Sequence, residues 1–239
     1  MSQNWSNDPS VSVGSGTSGR VFDEGLRIYM NKVYGYMSMG LLITAIAAYV
    51  GAASGFYQSI ASTPLIYVVM FAPLGLVFFL SMRMHKVSAQ TAQMTFWIYA
   101  GLVGLSLSYV LLVFTGVSVV RTFLVTAASF GALSLYGYTT KRDLSGMGSF
   151  LFMGLIGIII ASVVNIFLAS SAMHFVISVL GVLIFAGLTA YDTQSIKQIY
   201  MGSDSRDVAE KKAIMGALRL YLDFLNMFLF LLQFLGNRD

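Results

Sequence analysis

Seven long apolar runs constrain this chain more than any other feature. They lie near Val33–Ala53, Pro64–Leu80, Met94–Phe114, Val119–Tyr138, Ser149–Ala169, Met173–Tyr191 and Ala213–Leu235. A helix needs about 20 apolar residues to cross the hydrocarbon of a bilayer, within a range of about 17–25. The expected fold is therefore an all-α membrane protein with seven transmembrane helices, occupying residues 33–236. Composition agrees: 10% of residues are charged, whereas an average soluble domain has about 25%. Residues 1–32 are polar and rich in Ser, Gly and Asn. With too little apolar surface to pack, they are expected to form a disordered tail rather than a cleavable signal peptide. The chain has no Cys, which removes disulfides, thiolate nucleophiles and Cys-ligated metals together. Its basic residues form no aromatic-interleaved cluster, so nucleic acid is not an expected partner.

Proline, lysine, arginine and glycine refine this picture. Pro73 lies inside the second and shortest run. A mid-helix proline frees a carbonyl one turn back and favours a kink, tolerated in a membrane when a neighbour re-satisfies the carbonyl. Orientation follows Lys and Arg in the connections. One side collects Arg20, Arg27, Lys32, Arg83, Lys86, Lys141, Arg142, Lys197, Arg206, Lys211 and Lys212; the other has Arg121 and Arg238. This asymmetry predicts a cytoplasmic N-terminus and, with seven spans, a C-terminus outside. Tyr34, Tyr36, Tyr49, Tyr138 and Tyr191 sit at span ends, where tyrosines anchor helices at the membrane interface. Gly101/Gly104 and Gly154/Gly157 put small residues on one helical face and predict close helix packing.

Two carboxylates interrupt the apolar pattern. Asp192 closes Gly187-Leu188-Thr189-Ala190-Tyr191-Asp192, and Asp223 closes Leu220-Tyr221-Leu222-Asp223. A charge at the centre of a membrane helix costs about 2.5–3.5 kcal/mol on insertion scales, so one that persists suggests function. On a helix at about 100° per residue, Arg219, Asp223, Asn226, Phe230 and Gln233 fall within roughly 80° of one another. The last span thus carries a polar stripe (Arg219, Asp223, Asn226, Gln233) and is expected to be the most enclosed. Asp192, Asp223 and Arg83, which ends the second run, come to comparable depth toward the same face. Two buried carboxylates within about 4–6 Å cannot both ionise easily. Asp192, Asp223 and an arginine, Arg83 or Arg219, are therefore expected to form a shared-proton site, with the carboxyls within hydrogen-bond or one-water reach.

The plainer reading is that Asp223 pairs with Arg219 at i, i+4 and Asp192 is a solvated helix end. Asn165, inside the fifth run, is expected to bind between helices. His85 and His174 stand apart, so neither is expected to ligate a metal. Asp204, Asp207 and Glu210 alternate with Arg206, Lys211 and Lys212, which suggests a solvated face.

Gly187-Leu188-Thr189-Ala190-Tyr191-Asp192-Thr193-Gln194 with Ile196-Lys197 resembles the signature of the Bax inhibitor-1 family (transmembrane Bax inhibitor motif proteins). Ala217-Leu218 and Leu220-Tyr221-Leu222-Asp223-Phe224-Leu225-Asn226-Met227-Phe228 resemble that family's final span. The resemblance covers about residues 25–236. It implies seven helices, six surrounding a central seventh, and a calcium leak gated by pH through paired aspartates, matched here by Asp192 and Asp223. Phe79-Leu80-Ser81-Met82-Arg83 matches, less specifically, the place of the family's gating arginine. The resemblance also implies a bacterial inner-membrane location and, for bacterial relatives, association with a membrane-anchored AAA protease.

The leading expectation is a proton-gated calcium leak channel with no catalytic role and no cofactor, calcium being the permeant ion. Calcium takes 6–8 oxygen ligands; Asp192 and Asp223 with neighbouring oxygens would offer only a weak, transient site, as conduction requires. A regulatory protein that works by binding another membrane protein is the second expectation. An intramembrane aspartyl protease is the most remote. Its second motif would read Gly-x-Gly-Asp where this chain has Leu220-Tyr221-Leu222-Asp223, and its Pro-Ala-Leu motif is missing, the prolines being Pro9, Pro64 and Pro73. No Lys lies in the last span from Ala213 onward, which excludes a retinal Schiff base there.

Overall fold

The computed structural model describes the backbone of residues 15–83 and 86–237, with side chains from residue 23 onward except at 80 and 81. Residues 1–14 of the expected tail, His85 and Arg238 lie outside the described residues, as does the side chain of Arg20. Among the described residues the chain forms α1 (Ser15–Ala53), α2 (Phe56–Ala61), α3 (Leu65–Arg83), α4 (Ala89–Ser106), α5 (Ser108–Val113), α6 (Gly116–Thr139), α7 (Ser145–Leu168), α8 (Ser171–Gln198) and α9 (Arg206–Leu235). Six spans are long and apolar enough to cross a membrane, with α4 and α5 forming one broken span. The shorter apolar helix α3 makes the seventh. Residues 15–32, expected as tail, instead open α1. Leu26, Tyr29 and Met30 are buried there, giving this stretch an apolar face that its polar average conceals.

Serine and threonine start four of the helices. Ser88, Thr115, Ser170 and Ser205 each accept a hydrogen bond from the backbone amide three residues on, satisfying one of the amides that every helix start leaves unpaired. Asn165 does a similar task rather than joining helices: its Oδ1 accepts from the Ser170 amide at 3.1 Å, closing the turn where Ala169 takes a left-handed φ of 48°.

The connections rich in Lys and Arg meet at one end of the bundle. Lys32 Nζ reaches Glu210 Oε2 at 2.7 Å, and the Ala89 amide donates to Asp207 Oδ1 at 3.1 Å. Gln194 clamps the α6–α7 turn, accepting from the Leu144 amide at 2.9 Å and donating to the Arg142 carbonyl at 2.8 Å. At the opposite end the Thr115 amide donates to the Asn237 carbonyl at 3.1 Å. Of the three acids around the start of α9, Asp207 is solvated as expected and the other two are less so. Asp204 pairs with Lys212 at 2.6 Å, and Glu210 is held by Lys32 and the Tyr36 hydroxyl.

Helix α9 is the axis. In its most apolar window 61% of residues are buried, against 11% in α7. Its direct neighbours are α8, α1, α6 and α4, while α3 packs on α4 and α7 on α8. Close approach depends on glycine at two crossings. A Cβ at Gly104 would stand 2.4 Å from the Thr44 carbonyl oxygen, and one at Gly137 would stand 2.2 Å from that of Ala190. The predicted Gly101/Gly104 face therefore packs on α1. Gly154 faces Ile184, but Gly157 has no neighbour within 4 Å, so the second pair works at one position only. The carbonyl that Pro73 frees is also accounted for: Ser106 Oγ donates to the Val69 oxygen at 2.6 Å. This is the re-satisfaction that proline inside lipid demands.

Candidate functional site

The carboxylates come from the two most closely packed helices. Asp192 lies in the last two turns of α8 and Asp223 near the middle of α9, whose long mutual contact brings them level. Asp223 is 4% exposed, and the Asp192 side chain is 15% exposed. Their carboxyl groups are hydrogen-bonding neighbours. Two ionised carboxylates offer only acceptors, and Asp223 Oδ2 is buried without a donor. A bond between them therefore requires a proton on one. A singly protonated pair can make that bond, and a fully ionised pair cannot.

Of the two candidate arginines, Arg219 stands beside the pair. Its Nη1 is 4.0 Å from Asp192 Oδ1, and its side chain is 49% exposed. That distance makes an ion pair but not a hydrogen bond, and half-exposure screens it. Arg83 is exposed at the end of α3, a helix that packs on α4 and not on α8 or α9 to any extent. Among the described residues no carboxylate forms an ion pair with it. Only geometry could choose between them, because both arginines come to the same depth by span counting. The i, i+4 pair of Arg219 with Asp223, the plainer alternative, is not among the ion pairs of the described residues; Arg219 leans across to Asp192.

The pair opens on a cavity of about 1040 Å³ between α7, α8 and α9. Arg219, Asp223, Asn226 and Phe230 of the predicted stripe all line it, with Tyr191 and Asp192 from α8. Gln233 falls beyond it, exposed, and accepts from Ser178 Oγ at 3.3 Å. Asn226 Nδ2 donates to the Leu222 carbonyl at 2.8 Å. The α7 wall had no sequence signal as a site, being uniformly apolar apart from Ser149 and Ser162. It has no extended packing against α9, which leaves the cavity between them with α8 as its floor. Gly148 on α7 faces the Tyr191 ring, 2.5 Å from where a Cβ would stand. Among the described residues no group of three or more His, Asp or Glu side chains could hold a metal ion.

Several expected interfacial tyrosines also face inward. The Tyr34 hydroxyl bonds Ser134 Oγ at 2.6 Å, which in turn bonds Thr193 Oγ1 at 2.9 Å. Tyr36 meets Glu210, and Tyr191 lines the cavity. Tyr49 remains 68% exposed, as an anchor would. Tyr221, which the sequence marks only as part of the Asp223 motif, is fully buried in the axis. Its hydroxyl is 2.6 Å from Thr44 Oγ1, which itself donates to the Ala100 carbonyl at 2.9 Å.

Fold and site together define a multi-pass helical membrane protein with a buried carboxylate pair set against its innermost helix. Residues 26–239 match the family model described as "Inhibitor of apoptosis-promoting Bax1". The chain belongs to the Bax inhibitor family. It is 51% identical over 220 residues to a protein of Rickettsia prowazekii, covering 92% of this chain and 93% of that one. It is 49% identical over 218 residues to inner membrane protein YbhL of Escherichia coli, covering 90% and 93%. A membrane protein of Streptococcus pyogenes is 38% identical over 221 residues, covering 91% and 96%.

Proposed function

We propose that this protein is a proton-gated calcium leak, with Asp192 and Asp223 as its sensor. The observation that carries this reading is a pair of largely buried carboxyl groups on adjoining helices, one of them with an oxygen that has no donor among the described residues. The groups facing the pair are few. Helix α8 brings Asp192 and Tyr191, α9 brings Asp223 and Arg219, and α7 brings only hydroxyls. With Asp192 ionised, Arg219 draws the end of α8 toward the middle of α9. Protonation removes that attraction, because a neutral carboxyl loses its charge-assisted interaction with guanidinium. Of the three helices that line the cavity, α7 and α9 are the pair without extended packing on each other, and the site opens between them. Calcium passes as the permeant ion, without a resident binding site. The carboxyls sense protons and catalyse no reaction.

The Lys- and Arg-rich end lies in the cytoplasm by the positive-inside bias, and the C-terminus lies outside. A bacterial inner membrane is the natural location, as for the relative named YbhL. The test is calcium flux into proteoliposomes, measured against pH for the parent and for Asp192→Asn/Asp223→Asn. The parent should show acid-stimulated flux and the double variant should lose its pH dependence. Equal pH dependence in both would overturn the assignment of the sensor.

A further inference from the structure

The cavity between α7, α8 and α9 is polar at one end. Asp192, Asp223 and Arg219 cluster there, while Ile159, Val163 and Ile166 continue along α7. From Ser149 to Ile166 the lining advances 17 residues along that helix (166 − 149), about 26 Å at the helical rise. Asp223, which lines the cavity, is 4% exposed, and among the described residues its Oδ2 has no donor. Among the described residues the one guanidinium lining the cavity is half exposed and stands beside Asp192. When both acids are ionised, two negative charges face one positive charge. One charge is then left unmatched at membrane depth, where it is costly.

We propose that this cavity binds a single-chain lipophilic amine, its ammonium beside Asp223 and its alkyl chain along α7. An ammonium supplies the two things the polar end lacks: N–H donors for the carboxyl groups that Asp192 and Asp223 bring to the cavity, and one positive charge. The elongated apolar remainder of the cavity suits an alkyl chain. Because an alkyl tail is already in apolar surroundings in a bilayer, the head group sets the selectivity. A fatty alcohol brings a donor without charge, a quaternary ammonium brings charge without N–H, and a fatty acid adds a third carboxylate. This site does not depend on whether the protein conducts ions.

The full chain in lipid nanodiscs is titrated with dodecylamine, dodecanol, dodecyltrimethylammonium and lauric acid, all of one tail length. Binding is read from the shift of the thermal unfolding midpoint and from native mass spectrometry. Dodecylamine should bind one per chain, about tenfold or more tighter than the alcohol, a margin one charge-assisted contact supplies. Lauric acid should be the weakest of the four. Asp223→Asn should abolish most of the amine's preference, and Asp192→Asn should reduce it, so either variant suffices if the other fails to fold. Equal binding of amine and alcohol overturns the proposal. So does equal binding of amine and trimethylammonium, or an amine preference unchanged in both variants.

Discussion

Arg219 Nη1 stands 4.0 Å from Asp192 Oδ1, reaching across from α9 to α8. Asp223, one turn further along α9, lies buried behind it. Ion pairs of this exposure contribute about 0.2–1 kcal/mol, so the contact biases the site without locking it. Arg219→Gln should therefore shift the flux–pH curve by less than about one pH unit, since 1.36 kcal/mol corresponds to one unit. The sign is fixed: the guanidinium favours the ionised carboxylate, so its removal moves acid activation to higher pH. Arg83→Gln should leave the curve in place. Flux in proteoliposomes checks both, and an equal shift for Arg83→Gln would show that α3 reaches the site in another state.

The two aspartates should respond differently when changed singly. Asp192→Asn removes the carboxylate that Arg219 attracts and should raise flux at neutral pH. Asp223→Asn removes the like charge beside Asp192, leaving Asp192 ionised more readily, and should blunt the acid response. Calcium flux followed between about pH 6 and pH 8 tests both, since an interacting pair titrates as a unit. Loss of flux in both variants at every pH would instead make the carboxylates permeation ligands.

Ser106 and Pro73 should be energetically coupled. Ser106→Ala deprives the Val69 carbonyl of its 2.6 Å donor and should cost about 1–3 kcal/mol, as for a buried group left unpaired. In a Pro73→Ala background residue 73 regains an amide that can bond Val69, so the same change should cost markedly less. A double-mutant cycle of unfolding in detergent measures the difference. Additive costs would show that Val69 finds another donor.

Glycine contacts predict opposite outcomes for one chemical change. Gly137→Ala would bring a Cβ to 2.2 Å from the Ala190 oxygen and should destabilise by about 1–3 kcal/mol, as overpacking does. Gly157→Ala meets nothing within 4 Å and should stabilise by about 0.5–1 kcal/mol through helix propensity. Thermal unfolding of the two variants separates the cases. A neutral Gly137→Ala would mean that α6 and α8 separate easily.

Hydropathy located all seven spans in the sequence, including the short one broken by Pro73, because a bilayer makes each helix satisfy its own backbone within one continuous stretch. The 3.6-residue period likewise marked α9 as the axis through Asp223 and Asn226. Where the helices ended was less legible: α8 and α9 run past their apolar cores to Gln198 and back to Arg206, because their polar extensions are held by contacts with distant segments. One such contact is Lys32 with Glu210. Tertiary structure alone chose Arg219 over Arg83, turned Tyr34, Tyr36 and Tyr191 inward, and held α7 away from α9 to leave a cavity. These outcomes depend on the rotation and spacing of helices against partners far along the chain. Hydropathy and periodicity describe each helix singly and carry no term for those relations.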